Sequence, residues 1–260
     1  MMKTGRFKAK DGMALAMAIF ECEKPKAIVQ IIHGAKEHKE RYYDFCQFLC
    51  NHGYTVVISD NRGHGASVNE KYPLGYMDDV NQMVEDQYRI TRFIKKRYPK
   101  KKLYLFGHSL GSIFARVYLQ KHDDEIDKLV LSGSPNFHGA ARYADILCFF
   151  METFLGKKRH NALMIKAGDN DDNGWVVKNE EMLDRYRKDP LCCGYKYYNA
   201  GITTIWRADG ELKKFKKYQV KNPNLHILMI SGAEDPVTGG DEGLFDTYQT
   251  LHQIGYPYVR

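Results

Sequence analysis

The sequence predicts an α/β architecture: a mostly parallel sheet with flanking helices, interrupted by one long helical insertion. Three observations carry that prediction. Short apolar runs bounded by turn residues alternate with segments of helical period, as stacked strand–helix units require. One such strand runs directly into a glycine-flanked serine that opens a helix. The alternation then stops at about residue 135 and resumes near residue 218.

Taken in order, residues 14–20 and 27–32 read as opening strands, with residues 23–26 turning between them. Tyr42, Phe45, Cys46 and Leu49 share one helical face, closed by Gly53, and residues 55–59 form the next strand. Val80, Val84, Thr91 and Ile94 mark a helix from Asp79 to about Arg97. It stops before Pro99, because a proline pushes its predecessor out of helical backbone. Residues 103–106 make a short buried strand, 110–122 a helix with Leu110, Ile113, Phe114 and Val117 facing inward, and 129–131 another strand. After the interruption, 227–230 is a strand and 243–254 a helix with Leu244, Tyr248 and Leu251 on one side. Residues 256–260 read as the opening of a final strand. The expected organisation is a core of residues 1–134 and 218–260 with a cap, or lid, inserted at 135–217. A connection of roughly 80 residues without sheet character is too long for a simple loop.

Bulk properties narrow the class. A chain of 260 residues suits a single α/β unit, and 43% hydrophobic with 27% charged residues is ordinary for a soluble domain. No apolar run is long enough to span a bilayer. Lys3, Arg6, Lys8, Lys10 and Asp11 interrupt any secretory apolar region at the N-terminus. The six cysteines (Cys22, Cys46, Cys50, Cys148, Cys192, Cys193) lack metal-finger spacing and read as reduced thiols, which points to the cytoplasm. The net charge of +7 is scattered over residues 95–102, 157–159 and 213–217. It reads as a solvated surface rather than a nucleic-acid site.

The chemistry concentrates in three places. Gly107-His108-Ser109-Leu110-Gly111 follows a strand and opens a helix, the context in which G-x-S-x-G presents a serine nucleophile. The turn is so tight that the flanking positions must lack bulk, and the helix N-terminus supplies amides to a developing oxyanion. His33-Gly34-Ala35 ends the 27–32 strand, where the Ala35 amide can face that of Leu110 as a second oxyanion donor. A metal reading of His33, Glu37 and His38 fails on spacing. Gly232-Ala233-Glu234-Asp235-Pro236-Val237 follows the 227–230 strand and offers a late carboxylate, Asp235 fitting better than Glu234 because Pro236 fixes the turn. Asp60, in Asp60-Asn61-Arg62-Gly63-His64-Gly65, reads as part of a structural turn.

Together these motifs resemble the monoacylglycerol lipase and lysophospholipase branch of the α/β-hydrolases, which also holds serine-aminopeptidase-like members. His33–His38 with Arg41-Tyr42 is similar to its H-G-x-x-E-H…R-Y stretch, Asp60–Ser67 to D-x-R-G-H-G-x-S, and Gly232–Val237 to G-x-x-D-P-V. Lys36 stands where glycine is common in that branch. The resemblance implies cleavage of carboxylic esters by two-step acyl transfer. Ser109 is the nucleophile, Ala35 and Leu110 hold the oxyanion, Asp235 orients a histidine, and no cofactor or metal takes part.

In that branch the histidine follows the last strand. Here only His226 and His252 come after the insertion, one ahead of its strand and the other late in a helix. The catalytic histidine is therefore expected beyond residue 260. Within the insertion, residues 143–155 carry Ile146, Leu147, Phe149, Phe150, Met151, Phe154 and Leu155. Phe149, Phe150 and Phe154 are the candidates for an acyl-chain site, and with Lys157, Lys158 and Arg159 the same segment suits contact with a membrane surface. Two alternatives stand beside the esterase reading. One is an aminopeptidase using Glu152, Asp145 or Asp169 to hold a substrate amino group; the other is a non-catalytic binding protein.

Overall fold

The computed structural model describes residues 1–168 and 174–260. Seven strands form one sheet in the order β1-β2-β4-β3-β5-β6-β7. These are β1 (Met2–Lys8), β2 (Ala14–Phe20), β3 (Ala27–Ile32), β4 (Tyr54–Ser59), β5 (Leu103–His108), β6 (Lys128–Ser132) and β7 (His226–Ile230). The β1–β2 and β2–β4 pairs are antiparallel, and every pairing from β4 through β7 is parallel. Val259 forms an isolated parallel bridge to Ile227, with Met229 N donating to Arg260 O at 2.8 Å, so residues 258–260 run alongside β7.

Strand β3 shows why the sheet forms here. All six of its residues are buried, and period-two alternation sends them to opposite faces. Ile28 and Ile32 join the large core under the helices, while Val29 and Ile31 pack with Phe20, Cys46, Val56 and Ile58 beneath α1 (Tyr43–Asn51). Gln30 is the polar exception. Its amide is satisfied by Gln87 and by the Thr91 hydroxyl, both on α2 (Val80–Arg97). Asp79 caps α2 by accepting from Asn81 N and Gln82 N, and Lys95, Lys96 and Arg97 close it where cations meet the helix carbonyl end. Helix α3 (Leu110–His122) is buried on all sides through Gln120, so it is the central pillar behind β5.

Strand β1 escaped the sequence reading. Its residues are almost wholly exposed and show no apolar alternation, so pairing with β2 alone creates it. Between β6 and β7 the described residues contribute helices and turns but no strand: α4 (Ala144–Leu155), α5 (Ala162–Gly168), α6 (Glu180–Lys188) and α7 (Asn199–Glu211). Helix α7 packs on both α3 and α4 and so ties the insertion to the core. The last helix, α8 (Gly240–Ile254), starts three residues earlier than expected. No described helix is long and apolar enough to cross a membrane.

Candidate active site

All three sequence motifs end at the carboxyl edge of the parallel strands, where α/β sheets open a crevice. Ser109 sits between β5 and α3 with φ 49° and ψ −122°, left-handed backbone that a non-glycine residue adopts only when its surroundings force it. The force is steric and hydrogen bonded. Ser109 N donates to Ser132 O at 2.9 Å, and Ser109 O accepts from Ser112 N and the Ser112 hydroxyl at 2.8 and 2.6 Å. A Cβ at Gly111 would lie 2.2 Å from Ile32 O, and one at Gly107 would lie 2.6 Å from Gly111 O. The strand and helix can therefore approach this closely only if both positions are glycine.

The turn after β3 stands beside the serine, since a Cβ on Gly34 would meet Ser109 Cβ at 3.0 Å. Among the described residues, the Ala35 and Leu110 amides have no protein acceptor. The amide ahead of Ala35 is held, because Gly34 N donates to Glu37 Oε2 at 2.9 Å. Glu37 is buried and also accepts from the Tyr42 hydroxyl at 2.7 Å and Arg41 Nε at 3.4 Å. Burial opposes its charge, but His108, Tyr42, His33 and Arg41 outweigh that and keep its carboxyl below the usual range. Tyr42 is pushed well above its ordinary value by burial and by the Glu37 charge.

Asp235 follows β7, with Oδ1 accepting from Val237 N at 2.9 Å and Thr238 Oγ1 donating to its carbonyl. Its Oδ2 would lie 3.1 Å from a Cβ on Gly133, a point that is also 3.5 Å from His108 Cε1. Asp235 and His108 therefore flank the loop after β6. Glu234 is exposed and ion paired with Lys178. Asp60 is spent on structure, accepting from Lys39 N, Lys39 Nζ and Ala66 N.

A cavity of 1080 Å³ joins these parts. Ala35, Glu37, His108, Ser109, Gly133 and Asp235 border it from the core, and Trp175, Val176, Val177, Tyr186 and Tyr197 from the insertion. Phe149, Phe150 and Phe154 do not border it. They lie on the outer face of α4 at 61%, 52% and 79% exposure, because the opposite face of that helix is taken up by α7. The apolar density of residues 143–155 suggests an acyl-chain site, whereas the aromatics that line the cavity, Trp175, Tyr186 and Tyr197, are carried by turns and the short helix α6. Glu37 was also missed in its holding role, although a carboxylate three residues after Gly34 is a spacing that favours such a back-bond.

The carboxylates considered for an amino-group site are engaged elsewhere. Glu152 pairs with Arg207 and with the Thr203 hydroxyl, Asp145 pairs with Lys214, and Asp169 lies outside the described residues. Two histidines border the cavity, His108 and His138, the latter with Nδ1 3.0 Å from Asp209 Oδ2. His226 stacks on Tyr258, and His252 lies against Tyr248 on α8. Among the described residues no imidazole is hydrogen bonded to Ser109 or Asp235. His38, Asp189 and Cys192 cluster nearby, but His38 Nε2 is 2.7 Å from Asp189 Oδ2. Two ligands of one tetrahedral zinc, each about 2.0–2.1 Å from it, would sit farther apart. The cluster is a hydrogen-bonded latch between core and insertion.

Comparison with known proteins identifies the family. Residues 23–252 match the family model described as serine aminopeptidase, S33. A monkeypox virus protein described as a monoglyceride lipase homolog is 39% identical over 214 residues, 82% of this chain and 72% of that one. Rat monoglyceride lipase is 27% identical over 81% of this chain. The chain spans 66% of the rat protein's length and 53% of the mouse enzyme's. Among solved structures, a thermostable carboxyl esterase from Bacillus coagulans superposes with a TM-score of 0.84 at 22% identity, covering 100% of this chain and 88% of that one. With the family model spanning most of its length, the chain belongs to the serine aminopeptidase S33 family of α/β-hydrolases, in the branch of the monoglyceride lipases and lysophospholipases.

Proposed function

We propose that this protein hydrolyses carboxylic esters of the monoacylglycerol or lysophospholipid type through an acyl-enzyme on Ser109. One observation carries the reading: Ser109 is held in left-handed backbone at the mouth of a large cavity, beside two amides without protein acceptors. Ser109 Oγ attacks the ester carbonyl and gives its proton to a base, which passes it to the leaving oxygen as the C–O bond of the tetrahedral intermediate breaks and the alcohol departs. Water then attacks the acyl-enzyme and releases the acid. Ala35 and Leu110 amides stabilise the oxyanion in both steps, and Asp235 is the carboxylate that orients the base. Residues 135–217 act as the cap that walls the cavity, with Trp175, Val176 and Val177 as its apolar side. The names of the relatives favour an ester over a peptide, and the engagement of Glu152 and Asp145 in ion pairs supports the same choice. Six cysteines, none of them in a disulfide, fit a cytoplasmic setting.

The test is hydrolysis of p-nitrophenyl butyrate by the protein beside its Ser109→Ala variant. Turnover that disappears with Ser109 would support the reading and place a base within residues 1–260, which exchange of His138, His108 and His252 would identify. Equal rates from the two proteins would reject Ser109 chemistry in this chain.

A further inference from the structure

We infer that Tyr197, on the cap, is a positioning residue that holds the Ala35 amide in its oxyanion-binding orientation. The inference rests on the hydrolase reading above and adds a residue to it. The peptide units on both sides of Ala35 are fixed, each by a different part of the molecule. Asn61 N donates to His33 Nε2 at 2.8 Å, so the ring proton is on Nδ1, which donates to Gly34 O at 2.8 Å. Gly34 C=O and Ala35 N–H belong to one planar unit, and fixing the carbonyl aims the amide the opposite way. The next unit is fixed from the cap: Lys36 N donates to the Tyr197 hydroxyl at 3.0 Å.

That second bond has a job the rest of the turn cannot do. Lys36 has φ 51°, and it is the only non-glycine residue besides Ser109 with positive φ among the described residues. Left-handed backbone at a lysine persists only where neighbours over-determine it. The neighbours are two cap tyrosines, with Tyr197 bonded to the amide and the Lys36 ammonium 5.7 Å from the Tyr195 ring centroid. Tyr197 is itself anchored. His64 Nδ1 lies 3.1 Å from Arg62 O, so it carries the ring proton, and Nε2 accepts from the Tyr197 hydroxyl at 2.7 Å. The hydroxyl therefore donates to His64 and accepts from Lys36, with no freedom to turn. The consequence is that the oxyanion turn is complete only while the cap is seated on the core.

The test compares Tyr197→Phe with Tyr198→Phe, whose ring packs on His160 and Tyr76 away from the cavity. Amide hydrogen exchange is followed in the peptide spanning residues 33–38, and p-nitrophenyl butyrate supplies kcat and KM. Tyr197→Phe is expected to raise exchange in that peptide at least three-fold and to lower kcat roughly tenfold with KM within two-fold. That is a milder loss than outright deletion of an oxyanion donor, about 10²–10³. Tyr198→Phe leaves both unchanged. In a Lys36→Gly background, where left-handed backbone carries no strain, the effect of Tyr197→Phe on exchange should shrink to less than two-fold. Unaltered exchange at 33–38, an undiminished effect in the glycine background, or a KM that rises as much as kcat falls would each overturn the inference. If Ser109→Ala matches the unmodified protein in turnover, the hydrolase reading fails by itself and the exchange measurements alone decide whether Tyr197 holds the turn.

Discussion

Acid should destabilise the fold through His64, and the size of the effect follows from its surroundings. The ring is fully buried beside Tyr197, and burial, followed by the nearby His33, lowers its pKa from 6.5 to about 3. A histidine with a depressed folded pKa stabilises fully above its unfolded value, and that contribution is lost as pH falls from 6.5 toward 3. Between pH 7 and pH 5 the unfolded chain takes up a proton that the folded ring refuses. The linkage integral over that window is about 2 kcal/mol. His33 is shifted the same way by burial and adds to the loss. Asp86 works in the opposite sense: burial raises it to about 6 against the attraction of Arg62, so folding binds its proton and acid stabilises through it. These terms partly cancel, so the acid sensitivity of the unmodified protein alone decides nothing. The decisive comparison is urea unfolding at pH 7 and pH 5 for the protein and for His64→Gln, whose amide can still donate to Arg62 O and accept from Tyr197. The variant should be less stable at pH 7 but lose about 2 kcal/mol less between the two pH values. Equal losses in both proteins would refute the assignment of a neutral, buried His64.

Gly111→Ala should cost about 1–3 kcal/mol or more in urea unfolding, because its Cβ would press on two backbone oxygens, Ile32 O at 2.2 Å and His33 O at 2.6 Å; a change below about 0.5 kcal/mol would show that the end of β3 and the start of α3 can separate freely. Arg62 is 1% exposed and bonded to both Asp86 oxygens at 3.0 Å and to Asp11 at 2.7 Å. Arg62→Leu should therefore cost about 3–5 kcal/mol at pH 8, where the stranded Asp86 is charged, and less at pH 5, as thermal unfolding at the two pH values would register. Phe149, Phe150 and Phe154 form an exposed aromatic ridge beside Lys157, Lys158 and Arg159. Flotation with anionic phosphatidylglycerol vesicles should carry a bound fraction that the triple serine variant loses, and absence of any bound fraction in the unmodified protein would remove the membrane-surface reading.

What could be read from the chain follows how local the cause is. Strands β3 to β6 and helix α3 are legible because uninterrupted apolar runs and a helical stripe are properties of neighbouring residues. The Ser109 turn is legible for the same reason, since Gly107 and Gly111 meet backbone within a few residues or on the adjoining strand. Strand β1 is illegible because only pairing with β2 makes Met2–Lys8 a strand. The cavity wall was misassigned because apolar density on residues 143–155 marks a helix face without saying which way it turns. That face looks outward, and the wall comes from Trp175, Val176, Val177 and Tyr186.

Lys36 shows the limit most sharply. Taken alone, a lysine where glycine is common reads as a small change to a pocket rim. Its positive φ turns it into a demand for support, and the support comes from a hydroxyl 161 positions away. Glycine at 36 would tolerate the left-handed turn unaided, at the cost of a looser loop when the chain is unfolded and folded alike. Lysine plus Tyr197 reaches the same turn by another route, one that makes the geometry beside Ser109 conditional on cap contact. A turn held by its own glycine would be ready before substrate arrives whatever the cap does. On the oxyanion role proposed for the Ala35 amide, a turn held by Tyr197 is ready only while residue 197 stays bonded to Lys36 N, so loss of that one hydrogen bond would disarm it.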